Sequence, residues 1–236
     1  MSDLTGILRS SFRMLLDRPQ LFVPRLVSAS FSSALFAYIL LDGIVLADAY
    51  VMLAGLPALI VLGVFTPVMT AAMVRIKDRD KLLRRGFSEA LENWKGMLAL
   101  IALSTGILFL TGIIYTVGLG AAIITESIAL LAAILILNVL IALVAGFYLY
   151  FTPIAILDNR GTRENLKKAF NSSNRNRKEV ALLMAFSFAL LLLSSTVSGT
   201  LRTLGITAFI LGRLTSSVTG TYLLVISPNY YLKEAK

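Results

Sequence analysis

Two long stretches of this chain, residues 97–125 and 127–157, contain no charged side chain at all, while residues 75–95 and 160–179 are crowded with them. That alternation limits the possible folds more than any other feature. Crossing about 30 Å of hydrocarbon takes about 20 mostly apolar residues in a helix. The chain offers six such segments, at about 21–41, 49–71, 97–118, 127–154, 180–199 and 205–228, with Pro57 expected to kink the second. Only 15% of its 236 residues are charged and 57% are hydrophobic, whereas a soluble domain carries roughly a quarter charged residues. The expected class is therefore all-α: a single membrane domain, 1–236, with about six transmembrane helices. The first span would act as an uncleaved signal, since no cleavable leader is recognisable.

The basic residues set the expected orientation. Twenty of the 22 Lys and Arg fall in the N-terminal segment (Arg9, Arg13, Arg18, Arg25), the second-to-third linker, the fourth-to-fifth linker and the C-terminal tail, which lie on one side of a six-span chain. Arg202 and Arg213 remain. Positive loops stay in the cytoplasm, so both termini are expected there, in a plasma or inner membrane. The net charge of +9 then reflects topology and attraction to anionic headgroups, and no nucleic-acid partner is expected.

Three spans end alike, in Phe65-Thr66-Pro67, Phe151-Thr152-Pro153 and Ile226-Ser227-Pro228. After the first two come a basic stretch and a short amphipathic run, Gly86 to Leu91 and Gly161 to Leu166. A third run opens the chain, with Leu4, Ile7, Leu8, Phe12 and Leu15 at helical spacing and Arg9 and Arg13 opposite. This predicts three parallel helix-hairpin repeats, about 1–73, 74–158 and 159–236, each preceded by a cytoplasmic amphipathic helix. Arg9, Arg13, Arg84, Arg85, Lys167 and Lys168 would meet lipid headgroups. Phe87, Trp94, Tyr150, Tyr230 and Tyr231 would anchor the inner boundary, and Tyr50 and Tyr115 the outer one.

The run Ser11-Phe12 through Pro19 to Pro24 resembles the opening of six-helix integral membrane families of unassigned function, in which an amphipathic helix leads through a Pro into the first span. The segment from Phe151-Thr-Pro153 to Asp158, with Leu166-Lys-Lys-Ala-Phe170, resembles their repeat unit. It is also similar to the membrane-anchor domain attached to some glycerophosphodiester phosphodiesterases. The resemblance implies a membrane bundle and no activity, since the soluble phosphodiesterase domain is missing. The mitochondrial-carrier signature does not match, because here Pro ends the even helices.

Chemistry is constrained by what the chain lacks. It has no Cys and no His, which removes thiolate and imidazole metal sites, Cys nucleophiles and His bases. No enzyme activity, cofactor or metal is expected. Asn138 and Arg213 each lie 15 residues before a span-ending Pro, with Met52 in the third equivalent place. They are candidates for a shared polar cavity that binds an anion or headgroup; the alternative is a snorkelling Arg213 and a helix–helix hydrogen bond from Asn138. Ala208, Gly212, Ser216 and Gly220 recur every fourth residue as a packing face for another span or a second protomer. Gly106 and Gly112, with Ser28, Ser32 and Ser33, predict further close contacts. Asp42, Asp48 and Glu126 would form an outer carboxylate group or simply end helices, with an N-cap near 125–127.

The function expected from these features is non-catalytic: a multi-pass membrane protein that organises membrane lipids or partner proteins through its basic amphipathic helices, with a homo-oligomer through the small-residue face as one option beside packing within the chain. The alternative is a transporter or channel for a small, anionic solute, centred on Arg213 and Asn138.

Overall fold

The computed structural model describes residues 4–42, 46–78, 80–158, 161–202 and 205–233. Arg79, Arg160 and Lys236 lie outside these, as do the side chains of Asp42, Asp48, Tyr50, Met52 and Arg202. Among the described residues the chain is all helix: α1 (Leu4–Asp17), a 3-10 turn (Pro19–Phe22), α2 (Val23–Asp42), α3 (Leu46–Arg75), α4 (Leu82–Glu92), α5 (Trp94–Ile124), α6 (Ile128–Leu149), α7 (Thr152–Ala155), α8 (Thr162–Arg175), α9 (Arg177–Arg202) and α10 (Ile206–Lys233). Five stretches are long and apolar enough to cross a membrane: Ala54–Arg75, Trp94–Ile124, Ile128–Ala155, Arg177–Leu201 and Thr207–Lys233. This marks a membrane-integral protein. A short helix followed by two long ones recurs three times along the chain.

The long helices close into a ring in chain order. Each packs on the next, α2 on α3, α3 on α5, α5 on α6, α6 on α9 and α9 on α10, and α10 returns to α2 and also packs directly on α3. The α5–α6 turn is tight. Ser127 caps α6 by accepting from the Leu130 N–H at 3.2 Å, and Glu126 takes the left-handed conformation, φ 51°. Gly118 lets the two helices meet, since a Cβ there would lie 2.5 Å from Ile134 Cδ1. Gly106 and Gly112 face open space instead; they keep their side-chain-free surfaces outward, so the expected close contact falls at Gly118.

The core sits at one end of this ring. Val68, Ala71, Ala72 and Met73 of α3, Phe151 and Ile154 to Leu157 around α7, and Val225, Ile226, Tyr230 and Tyr231 of α10 form one buried cluster. Each of these segments contains or follows a span-ending proline, so the prolines do not end the helices as expected. α3 runs through Pro57 and Pro67, and α10 through Pro228. Only at Pro153 does the helix break and restart, with the proline in the first turn of α7, where its missing N–H costs nothing. The inner tyrosines are corrected as well. Tyr230 and Tyr231 are 1% exposed and Phe151 stacks on Tyr230 at 5.8 Å. They are core, because the helix end they belong to is covered by α1 and α7 rather than by headgroups.

The three short helices cover this core in one register. α1 buries Ile7, Ser11 and Leu15 against α10, α4 buries Leu82, Gly86 and Ala90 against α3, and α8 buries Asn165, Ala169 and Ser173 against the α7 segment. The central residue is small in each, and the pattern around it repeats: Leu8-Arg9-Ser10-Ser11-Phe12, Leu83-Arg84-Arg85-Gly86-Phe87 and Leu166-Lys167-Lys168-Ala169-Phe170. Each of these phenylalanines meets an aromatic ring of the long helix beneath it edge-on. The pairs are Phe12–Tyr222 at 6.2 Å, Phe87–Phe65 at 5.4 Å and Phe170–Tyr148 at 5.7 Å.

The basic linkers also tie helix ends together. Arg18 donates to the Ile76 carbonyl at 2.6 Å and Arg75 to the Leu157 carbonyl at 2.6 Å. A helix end leaves carbonyls without partners, and each arginine satisfies one at the end of another helical segment.

A Cβ at Gly86 would lie 2.4 Å from Met73 Cγ. Gly86→Leu should therefore lift α4 off α3 and cost about 1–3 kcal/mol, read as a lower thermal midpoint in detergent. Gly106→Ala, with nothing within 4 Å, should leave the midpoint unchanged or raise it.

Candidate anion site inside the helix ring

Beyond the core, between α2, α3, α9 and α10, lies a cavity of about 420 Å³. These helices meet along α10, which packs on α2, α3 and α9. Its walls are unusual for such apolar helices. Arg25 and Arg213 line it, together with Ser28 and Ser32 of α2, Ser194, Ser195 and Ser198 of α9 and Ser216 and Ser217 of α10; Leu59 and Gly63 of α3 and Leu191 complete it. No carboxylate is among the lining residues.

The serines arrive by helical spacing. Residues 28 and 32, and 194 and 198, are four apart and share a face. Arg213 donates to Ser32 Oγ at 3.0 Å, and Ser32 donates to the Ala29 carbonyl at 3.0 Å. Ser198 donates to the Gly212 carbonyl at 3.0 Å and sits 2.5 Å from Ser216 Oγ. Arg25 lies deeper. A Cβ at Gly220 would sit 2.9 Å from Arg25 Nε, so the guanidinium occupies the notch that the glycine leaves. That buried Nε has no hydrogen-bond partner among the described residues.

Gly220 is the midpoint of the 28-residue α10, so Arg25 is held beside the middle of that helix. Arg213 is seven residues away along α10, about 10 Å. Two cationic tiers thus stack along the ring axis. An arginine at the middle of a membrane helix costs at least about 2.5–3.5 kcal/mol when isolated; hydroxyls and a polar cavity lower that cost.

The expected site residues divide. Arg213 lies in the cavity as anticipated. Asn138 does not: its Nδ2 donates to the Ile134 carbonyl of its own helix at 3.0 Å, and α6 contributes nothing to the lining. Equal spacing from a proline did not give the two residues the same facing. Arg25 was counted with the linkers on the basic side, yet it is inside the ring. The signal that could have found it is Gly220, which belongs to the small-residue face. That face itself splits. Gly212 packs on α9, where a Cβ would lie 2.9 Å from Leu201 Cδ1. Ser216 and Gly220 serve the cavity and Arg25. Ala208 is half-buried near the helix start.

Among the headgroup candidates, Arg9, Arg13, Arg84 and Lys167 are exposed. Arg85 pairs with Asp78 at 2.6 Å. Lys168 turns inward to a salt bridge with Asp158 and lies over the Tyr231 ring at 5.6 Å; the Asp158 hydrogen bond raises its pKa. Glu89 lies 3.6 Å from Arg75, and burial nonetheless pushes its carboxyl above the usual range. Among the described residues no group of His, Cys, Asp and Glu could hold a metal. Glu126 is an exposed turn residue; Asp42 and Asp48, the other two acidic residues of the expected outer group, have side chains outside the described residues. A larger cleft of about 600 Å³, between α6 and α9, is lined by apolar groups such as Leu143, Phe147 and Phe188 and carries no polar chemistry. Comparison with protein-family models, curated proteins and solved structures finds no match.

Glu89 and Arg75 separate cleanly by experiment. A raised carboxyl pKa favours the protonated folded state, so its contribution to stability is present at low pH and fades as pH rises through the folded value. Glu89→Gln should then leave stability at pH 7 unchanged or slightly higher. Arg75→Gln removes the bond to the Leu157 carbonyl and should lower stability by about 1 kcal/mol, at the low end because the side chain is partly exposed. Thermal unfolding in detergent from pH 4 to 8 checks both.

Proposed function

We propose that this protein binds small anions within the membrane and passes them across it, as a transporter or channel, through six spans arranged as three hairpin repeats. The single observation that carries the proposal is the cavity inside the ring, where two arginines and seven serines face each other with no carboxylate among the lining residues. Guanidinium and hydroxyl groups donate hydrogen bonds to anions. A ring of helices placing them at mid-depth gives an anion partners where water is scarce, as binding residues of transporters do. The sixth span in this reading is α2. The repeat is supported by the shared register of α1, α4 and α8, by the three edge-on aromatic pairs and by the element order. The basic ends, with α1, α4 and α8, face the cytoplasm, following the charge bias.

This reverses the order of the two expectations drawn from sequence. The lipid-organising reading has its own support in the short helices. Phe12 and Leu16 are 55% and 67% exposed, and Phe87 and Leu91 48% and 46%, beside the exposed Arg9, Arg13 and Arg84. Apolar side chains next to cations suit the headgroup boundary of an anionic leaflet. This role is compatible with transport and sets the short helices at the inner leaflet.

In proteoliposomes, Arg213→Leu should abolish Arg-dependent anion flux while the purified protein keeps its detergent elution volume and helix content. Undiminished flux from a folded variant would refute the transport reading. Replacing Arg9, Arg13, Arg84 and Lys167 together by Gln should lower the share of anionic lipid that co-purifies and leave flux in neutral liposomes intact.

A further inference from the structure

We propose that the cleft between α6 and α9 seats an acyl chain of one anionic phospholipid, whose phosphate is held at the basic end of the cleft by Lys167, Arg177 and Lys178. This site is separate from the polar cavity and does not rest on the transport reading.

Depth is the first reason. The cleft, of about 600 Å³, is lined by α6 between Val139 and Tyr148 and by α9 between Ala181 and Phe188. Those stretches run about 13 Å and about 10 Å along the two helices. The hydrocarbon of a bilayer is about 30 Å thick, so the cleft is about as deep as one leaflet. The first half of α6, from Ile128 to Asn138, takes no part in it. A second membrane-spanning helix would need a groove along its whole length, whereas an acyl chain needs the depth of its own leaflet.

Shape is the second. Ala181 and Ala185 are exposed and lie four apart on one face of α9, so the wall there is shallow. Met184 bridges the base of the cleft, since a Cβ at Gly146 would lie 3.2 Å from Met184 Cε. An unbranched thioether adapts to a mobile neighbour, and a hydrocarbon chain packs on such a surface by dispersion contact.

Charge is the third, and it selects the lipid. Arg177 and Lys178 precede Ala181 by four and three residues, so they share its face one turn nearer the start of α9. On α8, Lys167 precedes Phe170 by three residues, and the Phe170 ring meets Tyr148 of the cleft edge-on at 5.7 Å. Both helices therefore bring cations to the same end of the cleft. Lys167, Arg177 and Lys178 are exposed, and none of them is in a salt bridge among the described residues. Glu164 and Glu179 are the acidic residues between Thr162 and Glu179, against six Lys and Arg. A phosphate is the complement this end lacks, and the apolar cleft leads from it into the leaflet.

The test titrates the full chain in neutral detergent with phosphatidylglycerol and with phosphatidylcholine of the same acyl chains, read by native mass spectrometry. The first phosphatidylglycerol should bind at least about tenfold tighter than the first phosphatidylcholine, given three cations at the headgroup. Replacing Arg177 and Lys178 together by Gln should remove most of that preference. Ala185→Trp, which fills the cleft and leaves every cation in place, should weaken both lipids. Glycerol 3-phosphate, a headgroup without a chain, should not displace bound phosphatidylglycerol. In nanodiscs, phosphatidylglycerol carrying a diazirine on its acyl chain should label peptides holding residues 139–148 and 181–188; this readout uses the unaltered chain and stands even where a variant fails to fold. Equal affinity for the two lipids, unchanged binding by folded Ala185→Trp, displacement by glycerol 3-phosphate, or labels spread evenly over α5, α6 and α9 would each overturn the inference. So would a wild-type dimer that Ala185→Trp splits, which would give the cleft to a second copy. Arg213→Leu should keep the lipid, so this inference and the transport reading fail separately.

Discussion

In hydrocarbon no water is at hand to satisfy a backbone polar group, so a carbonyl that loses its helical partner is costly unless the protein supplies another. The architecture follows from how three proline-bearing segments meet that demand. A proline removes one N–H and frees the carbonyl four residues earlier. Where the interruption is deepest, after α6, the Tyr150 carbonyl is recovered by Ser227 Oγ at 2.6 Å, and Thr70 and Thr221 return their hydroxyls to carbonyls of their own helices at 2.8 Å. These segments pack against one another and generate the buried core. Small side chains at Ser11, Gly86 and Ala169 then let the short helices sit flat on it. The first short helix closes the third hairpin, not the first: α1 is pinned to α10 by Asn229, whose Nδ2 reaches Ser11 Oγ at 2.8 Å and Ser10 Oγ at 2.9 Å. The chain thereby joins its two ends and makes the ring closed.

The core occupies one end, and the remainder of α5, α6 and α9 turns most of its side chains outward. That is affordable in a bilayer, where lipid tails are as apolar as leucine and exposure carries no penalty. It also explains why polar groups could accumulate inside the other half of the ring without destabilising the fold as a whole. On α10 the Ser198–Ser216 contact and the Arg25–Gly220 notch lie eight or more residues before Pro228, so their cost does not fall on the packing that holds the hairpins together.

Most of the framework was legible in the sequence because hydrocarbon imposes a simple length rule. The long helices lie where the apolar runs put them, and the amphipathic periodicity located α1, α4 and α8. The register of the repeat was harder. Gly86 and Gly161 looked equivalent as glycines, but Gly161 precedes α8 while Gly86 lies within α4. The equivalence that matters is steric, a small residue before a phenylalanine, and serine, glycine and alanine do not resemble one another until packing shows what they share. Arg25 was misread for a related reason. Two positions past the start of α2 it counts as a flanking charge by sequence, and only the pairing of α2 with α10 reveals a glycine opposite it. Asn138 failed in the opposite direction: depth follows from residue number, facing depends on which neighbours a helix has, and α6 turns it onto its own backbone.

The small-residue face of α10 shows how one sequence signal can hold two physical roles. Read as a periodic stripe, Ala208, Gly212, Ser216 and Gly220 offer a single surface for a single neighbour. In the ring α10 has α9 on one flank and α2 on the other, and a stripe following every fourth residue drifts slowly around the helix, because four residues exceed one turn of 3.6. Over two steps it passes from the α9 side, where Gly212 admits Leu201 and Ser198, to the α2 side, where Gly220 admits Arg25. The same geometry that permits close approach of a backbone therefore also opens a seat for a guanidinium about two turns further on. Packing and binding are adjacent uses of missing side-chain volume, and the difference between them lies in whether the neighbour fills the gap with carbon or with charge.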